Sequence, residues 1–249
     1  MKHKTFLGIT LLMAMIMLSF SGNVSAYGST TAKDVVLPYA DFTNSDVTMD
    51  GKADESGFTT VTIDFTTAKS ITVAFRHNAD TIHVVMTSEN PGWLALGWHN
   101  SKPSSTTGAG PMVDANIIIG GTTVRDDTGA YATHSADATN NIINSTASVT
   151  SSGATFEFLF PLASSDSVDQ PLTVKEWGYF IVASGLSGNV DNGHGGADES
   201  YYLPNVYIQS SAGEAYKGPS GGGSAPFADP AIIVLALGLV AVGVKIKRK

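Results

Sequence analysis

The chain has no cysteine in its 249 residues. That excludes disulfides, thiolate metal sites, iron–sulfur clusters and the C-x-x-C-H attachment of a c-type haem. Any haem held by this chain must be held non-covalently. Charge is also scarce, at 14% of residues, and basic charge is the scarcest. Six of the 14 Lys and Arg (Lys2, Lys4, Lys245, Lys247, Arg248 and Lys249) lie in the terminal segments. That leaves 8 against 21 Asp and Glu, once Asp229 is set aside too. A body this acidic repels phosphate backbones, which argues against a nucleic-acid partner. Between the termini no stretch shows a convincing 3.6-residue period. No nucleophile elbow, zinc-ligand spacing or pair of catalytic carboxylates stands out, so nothing points to hydrolysis.

What is present begins with an export signal. Met1–Ala26 has Lys2 and Lys4, an apolar run Phe6–Phe20, and small residues at Val24-Ser25-Ala26. This is the pattern of a cleaved secretory peptide. At the other end, Lys217–Ser224 (KGPSGGGS) has the composition of a flexible linker. Uncharged Ala231–Val244 and the basic Lys245–Lys249 follow. Fourteen residues of helix cover roughly 21 Å of a hydrocarbon core about 30 Å thick. Extending the span back through Pro226–Pro230, with Lys245 snorkelling, closes the gap. Basic residues after the span put that end in the cytoplasm. The expected order is signal peptide 1–26, N-terminal extension 27–46, β-domain 47–210, linker 211–226, transmembrane anchor or sorting tail 227–246, and basic end 247–249. That order predicts a single-pass cell-membrane protein with its domain outside the cytoplasm.

The body alternates as strands do. Val61, Ile63 and Phe65 form one set, Ile71, Val73 and Phe75 a second, Ile82, Val84 and Met86 a third. Phe156, Phe158 and Phe160 repeat the pattern within Thr155–Phe160. Further short strands are expected near Thr122–Arg125, Asn141–Val149, Val174–Ser184 and Val206–Gln209. Many short period-two strands predict an all-β antiparallel sandwich or barrel. Asp50-Gly51, among clustered carboxylates from Asp50 to Glu55, reads as a turn, with a Ca²⁺ site as the second reading.

The chain is organised around Pro91–Gly121. Two strand-like runs, Trp93–Trp98 and Val113–Gly120, flank a loop of Ser, Thr, Gly and Pro that closes at Met112. A thioether is unusual at the end of a polar loop, and it is one of the few neutral protein ligands for haem iron. Met112 is therefore either a ligand or a core plug. The tryptophans are core or rim residues, or platforms lining a haem or sugar.

Gly92-Trp93-Leu94-Ala95-Leu96-Gly97-Trp98, followed by Met112-Val113-Asp114-Ala115-Asn116-Ile117-Ile118-Ile119-Gly120, resembles the signature of DOMON domains. That family includes the haem-binding cytochrome domain of cellobiose dehydrogenase. The resemblance covers about residues 47 to 210 and implies an immunoglobulin-like β-sandwich holding a b-type haem or a sugar at one end. In haem-binding members a Met after the GW strand and a later His hold the iron, and Met112 matches the first. For the second, the resemblance favours His194, in Asn192-Gly193-His194-Gly195-Gly196, over His77, His83, His99 and His134. His83 alternates with Ile82 and Val84, which predicts a solvent-facing ring. The implied function is single-electron transfer through a Met112/His194-ligated haem b, more a redox carrier than an enzyme, with Trp93 and Trp98 as cofactor-binding candidates. Its partner would be a membrane or extracellular redox protein. The alternative is a carbohydrate-binding surface module on the same sandwich.

Overall fold

Valine, isoleucine and phenylalanine at every second position make strands with one greasy face, and two such faces must meet. In the computed structural model they do. It describes residues 24–25, 34–64, 70–101, 112–130, 133–192 and 200–214. The chain divides into two units, 1–212 and 213–249. Of the second, only Gly213 and Glu214 are among the described residues, so the expected anchor lies outside them. Of the expected signal peptide, all but Val24 and Ser25 lies outside them as well. Among the described residues no helix is long and apolar enough to cross a membrane.

Thirteen strands are described: β1 (Val24–Ser25), β2 (Val35–Leu37), β3 (Thr59–Ile63), β4 (Ile71–His77), β5 (Thr81–Ser88), β6 (Leu94–His99), β7 (Asn116–Gly120), β8 (Val124–Ala130), β9 (Thr133–Ala136), β10 (Asn144–Thr150), β11 (Gly153–Pro161), β12 (Trp177–Ser184) and β13 (Ser200–Ile208). The first sheet runs β1-β3-β4-β5-β11-β10 and the second β2-β13-β12-β6-β7-β8-β9. Pairing is antiparallel except for β1 with β3 and β2 with β13. One 3₁₀ turn, Asn44–Asp46, is the only helix among the described residues.

The core lies between the sheets. Val61, Ile63, Ile71, Val73, Phe75, Ile82, Val84, Met86, Phe156, Phe158 and Phe160 enter it from the first sheet. Leu94, Leu96, Trp98, Ile118, Phe180 and Val182 meet them from the second. The period-two reading thus names the first sheet's inner face residue by residue, apart from Phe65, which lies outside the described residues. The fold is an all-β sandwich. Asp50-Gly51 is a turn: Asp50 accepts from the Lys52 N–H at 3.0 Å and from its ammonium at 2.8 Å.

Two expectations need correction. β8 extends through Ala130 and pairs with β9, where only Thr122–Arg125 was expected. Its sequence, VRDDTGA, has no apolar period because two of its positions are buried aspartates. His83 does not face solvent: it points away from the core, as alternation requires, yet is fully buried. Phe42 and Phe58 cover it, their ring centroids 6.0 and 4.9 Å from its own. Arg76 Nε donates to His83 Nδ1 at 3.1 Å, so His83 Nε2 carries the proton and donates to Glu157 at 2.8 Å.

Candidate functional site

The second sheet carries a second apolar face. Strands β6, β7 and β12 alternate, so residues between the inward-facing ones point outward. Ala95, Ile117, Ile119, Ile181 and Ala183 do so, and with Trp93, Ala115 and Val190 they form a cluster separate from the main core. In register, Ala95 lies between Ile119 and Ala183, and Gly97 between Ile117 and Ile181. The middle strand thus puts small residues on this face and its neighbours put isoleucines beside them, all of them buried.

Met112 and Tyr202, both half-buried, pack against this outer cluster. Met112 is no plug of the inter-sheet core. Its place is fixed through its backbone: Ala115 N–H donates to its carbonyl at 3.1 Å, and Asp114 N–H donates to Gly129 at 2.9 Å. Asp114 takes φ 61° to make this turn. A Cβ at Gly129 would sit 1.9 Å from the Met112 carbonyl oxygen, so only glycine lets the loop lie on β8 here. The Tyr202 hydroxyl is buried and makes no hydrogen bond. Burial, helped by the neighbouring Tyr179, pushes its pKa up to about 12. The Tyr179 and Tyr202 rings stack, with centroids 6.5 Å apart and planes at 10°.

Trp93 belongs to the same outer cluster and is itself buried. Its indole N–H donates to the Asn192 carbonyl at 2.7 Å. Its ring lies so close to Gly185 that a Cβ there would be 2.1 Å from Nε1. His134 meets Trp93 edge-on, with centroids 6.4 Å apart. Beyond it is a charged group on the same outward face. Arg125 grips Asp127 through Nε at 3.0 Å and a second nitrogen at 2.7 Å, and reaches Asp191 at 2.5 Å. His134 Nδ1 donates to Asp127 at 2.5 Å. Burial alone would raise the Asp127 pKa, but the hydrogen bonds and charges of His134 and Arg125 outweigh it and hold the carboxyl below its usual value. Asp127 in turn raises the Arg125 pKa. A fork of this kind pins the edge strands and keeps these charges paired with one another beside the apolar cluster.

The structure therefore brings Trp93 and Met112 to one face and separates Trp98 from them. Trp98 is wholly inside the sandwich, 5.3 Å from Phe160 and 6.4 Å from Phe180, its N–H donating to Gln170 at 2.6 Å. His194 lies outside the described residues; it follows, two residues on in sequence, the Asn192 that Trp93 holds. His99 ends β6 on the outward face opposite Tyr179 and is buried. His77 is buried beside Tyr39, 5.6 Å away, with Nδ1 donating to Asn78 at 2.7 Å. The Arg125–Asp127–His134 group was missed because its members look like ordinary loop polars. The one signal available was an Asp-Asp pair flanked by residues able to form a strand.

No protein-family model matches the chain, and no curated protein does. Two similar solved structures are both of a family 9 carbohydrate-binding module from Caldicellulosiruptor kristjanssonii, one with cellotriose and one with glucose. The first has 9% identity and TM-score 0.45 over 76% of this chain and 100% of that one. The second has 8% and 0.42 over 75% and 100%. Overlaps this loose leave the fold to be defined by the strand pairing and the site by its own residues.

Proposed function

We propose that this chain is a membrane-tethered, extracytoplasmic domain of the immunoglobulin-like kind, carrying single electrons through a b-type haem on the outer face of its seven-stranded sheet. One observation carries the reading: Met112 is half-buried against a separate apolar cluster on the outer face of the sheet instead of filling the core. The donor chemistry suits a haem: the face is apolar, small at Ala95, Gly97 and Ala183, and the unpaired Tyr202 hydroxyl would offer a hydrogen bond to a polar substituent. Met112 and His194 would hold the iron, with Trp93 in the same apolar cluster as Met112. Such a haem, when bound, shuttles one electron between Fe(II) and Fe(III), and Met/His ligation favours this over O₂ chemistry. The acceptor or donor is a membrane or extracellular redox protein.

The test is the full-length chain expressed with export and haem supply. A Soret band with a low-spin spectrum is expected. Met112→Leu keeps the packing volume and removes the sulfur, so it should lose the low-spin signature while the protein stays folded. His194→Ala should lose haem more completely. An unchanged spectrum in Met112→Leu would remove Met112 from the iron. Absence of any Soret band would move a carbohydrate ligand on the same face to first place, a reading favoured by the stacked Tyr179–Tyr202 pair.

A further inference from the structure

Two groups of acidic and histidine side chains could hold a metal among the described residues: Glu55, His83 and Glu157, and Asp126, Asp137 and Asp169. The first already contains its cation. Arg76 donates to His83 and sits 3.5 Å from Glu55, with Phe42 and Phe58 rings each 4.6 Å from its guanidinium carbon. The second contains none.

Asp126 enters from β8 on the inner face, beside Ile118 in register, so its carboxylate is inside the sandwich. Asp137 follows β9, and Asp169 comes from the β11–β12 connection. One ligand oxygen from each lies within 4.8 Å of the others. Asp126 is 3% exposed and Asp169 8%. No ion pair among the described residues involves any of the three. Asp126 Oδ1, Asp137 Oδ2 and both Asp169 oxygens are buried without a hydrogen-bond partner. Burial raises the Asp169 pKa, against the opposing pull of the nearby Ser164 hydroxyl, which makes no hydrogen bond of ordinary geometry with it. The remaining oxygens are held: Asn141 N–H donates to Asp126 Oδ2 at 2.9 Å, and the Thr128 hydroxyl donates to Asp137 Oδ1. Asn141 adds a buried amide oxygen with no partner of its own.

Three carboxylates turned on one another, two of them buried and Asp137 half-buried, repel strongly and gain little from water. Burial pushes the Asp126 carboxyl up to about 7 against the Asn141 N–H, and the charges of Asp169, Asp137 and Asp127 push the same way. Natural interiors leave so many oxygens unpaired only where something else satisfies them. We propose that Asp126, Asp137 and Asp169 bind one Ca²⁺ ion between the sheets, with the Asn141 amide oxygen as a further donor. All donors are hard oxygens, which excludes soft-metal preference. The three carboxylate oxygens lie within 4.8 Å of one another, close enough to share one ion, and an all-protein set of carboxylate and amide oxygens suits Ca²⁺, whereas Mg²⁺ usually keeps several waters. Trp98 anchors the site from behind, since its N–H holds the Gln170 carbonyl next to Asp169.

The experiment uses the full-length chain stripped with EDTA and titrated with CaCl₂, followed by calorimetry and thermal melting. Saturating Ca²⁺ should raise the melting temperature by about 5 °C or more at a hundredfold excess over Kd. Tb³⁺ should bind in its place and luminesce when Trp98 is excited. Asp169→Asn should weaken Ca²⁺ by at least about tenfold, the loss that even an outer-shell change produces. Absence of any Ca²⁺-dependent heat or melting shift in the wild type overturns the proposal, whatever the variants do. So does binding that Asp126→Asn and Asp169→Asn leave unchanged, because the ion would then sit elsewhere. Haem loading is scored separately by the Soret band.

Discussion

Asp126 and Asp127 are neighbours on one strand, both almost wholly buried, and they point to opposite faces of the sheet. Asp127 faces outward to Arg125 and His134; Asp126 faces inward to two other carboxylates. Substituting them should therefore have opposite effects. In EDTA, Asp127→Asn should destabilise by about 1.5–3 kcal/mol, the scale of hydrogen bonds to charged groups, with the exposed part of Arg125 keeping it below a fully buried pair. Asp126→Asn should be neutral or stabilising under the same conditions, since it removes a repelled charge. Urea unfolding of both variants beside the wild type checks the sign.

Gly185 touches the Trp93 ring, and Trp93 belongs to the outer cluster, not the main core. Gly185→Ala should cost about 1–3 kcal/mol by overpacking. It should also break the indole bond to Asn192 and with it ligand binding on the outer face. Trp98 lies on the other side of the sheet and should keep its fluorescence. Loss of stability without loss of ligand would show that Trp93 is only a rim residue.

His77 supplies a pH dependence. Burial lowers its pKa below 6.5, partly offset by the carbonyls of Asn78 and Gln209. The neutral ring is favoured in the fold, so the stability His77 contributes is complete above pH 6.5. It falls as pH drops from 6.5 through the depressed folded value. Thermal melts from pH 8 to pH 5 should show the wild type losing stability faster than His77→Phe, which keeps a ring against Tyr39. Parallel curves would mean that His77 does not titrate in this range.

Anchoring is tested by fractionation. The full-length chain should sediment with membranes after an alkaline wash, and truncation before Phe227 should release it. A truncated form that still sediments would place the anchor elsewhere.

Sequence pattern revealed one face of this molecule and little of the other. Alternating Val, Ile and Phe identify who shares the inner face, because burial between two sheets requires unbroken apolarity there. The same alternation says only that His83 points away from that face, not what covers it. Its partners are Arg76, seven positions away, and Glu157, 74 away, a distance no local pattern spans. Met112 was legible as an odd residue at a loop's end. The acidic trio was not, since Asp126, Asp137 and Asp169 lie on three separate segments and each is ordinary alone. Trp98 and Trp93 looked alike in sequence, and only the strand's pleat sent one inward and the other to the rim.

The parallel pairing of β2 with β13 has a mechanical consequence. β13 is flanked by β12 on one side and by β2 on the other, with Val206, Tyr207 and Ile208 matched to Val35, Val36 and Leu37. A pull on the chain after Ile208 runs along these strands and loads both ladders in shear. Their hydrogen bonds must then fail together instead of unzipping one at a time. Tension applied along β13 would thus meet the sandwich along one of its stiffer directions.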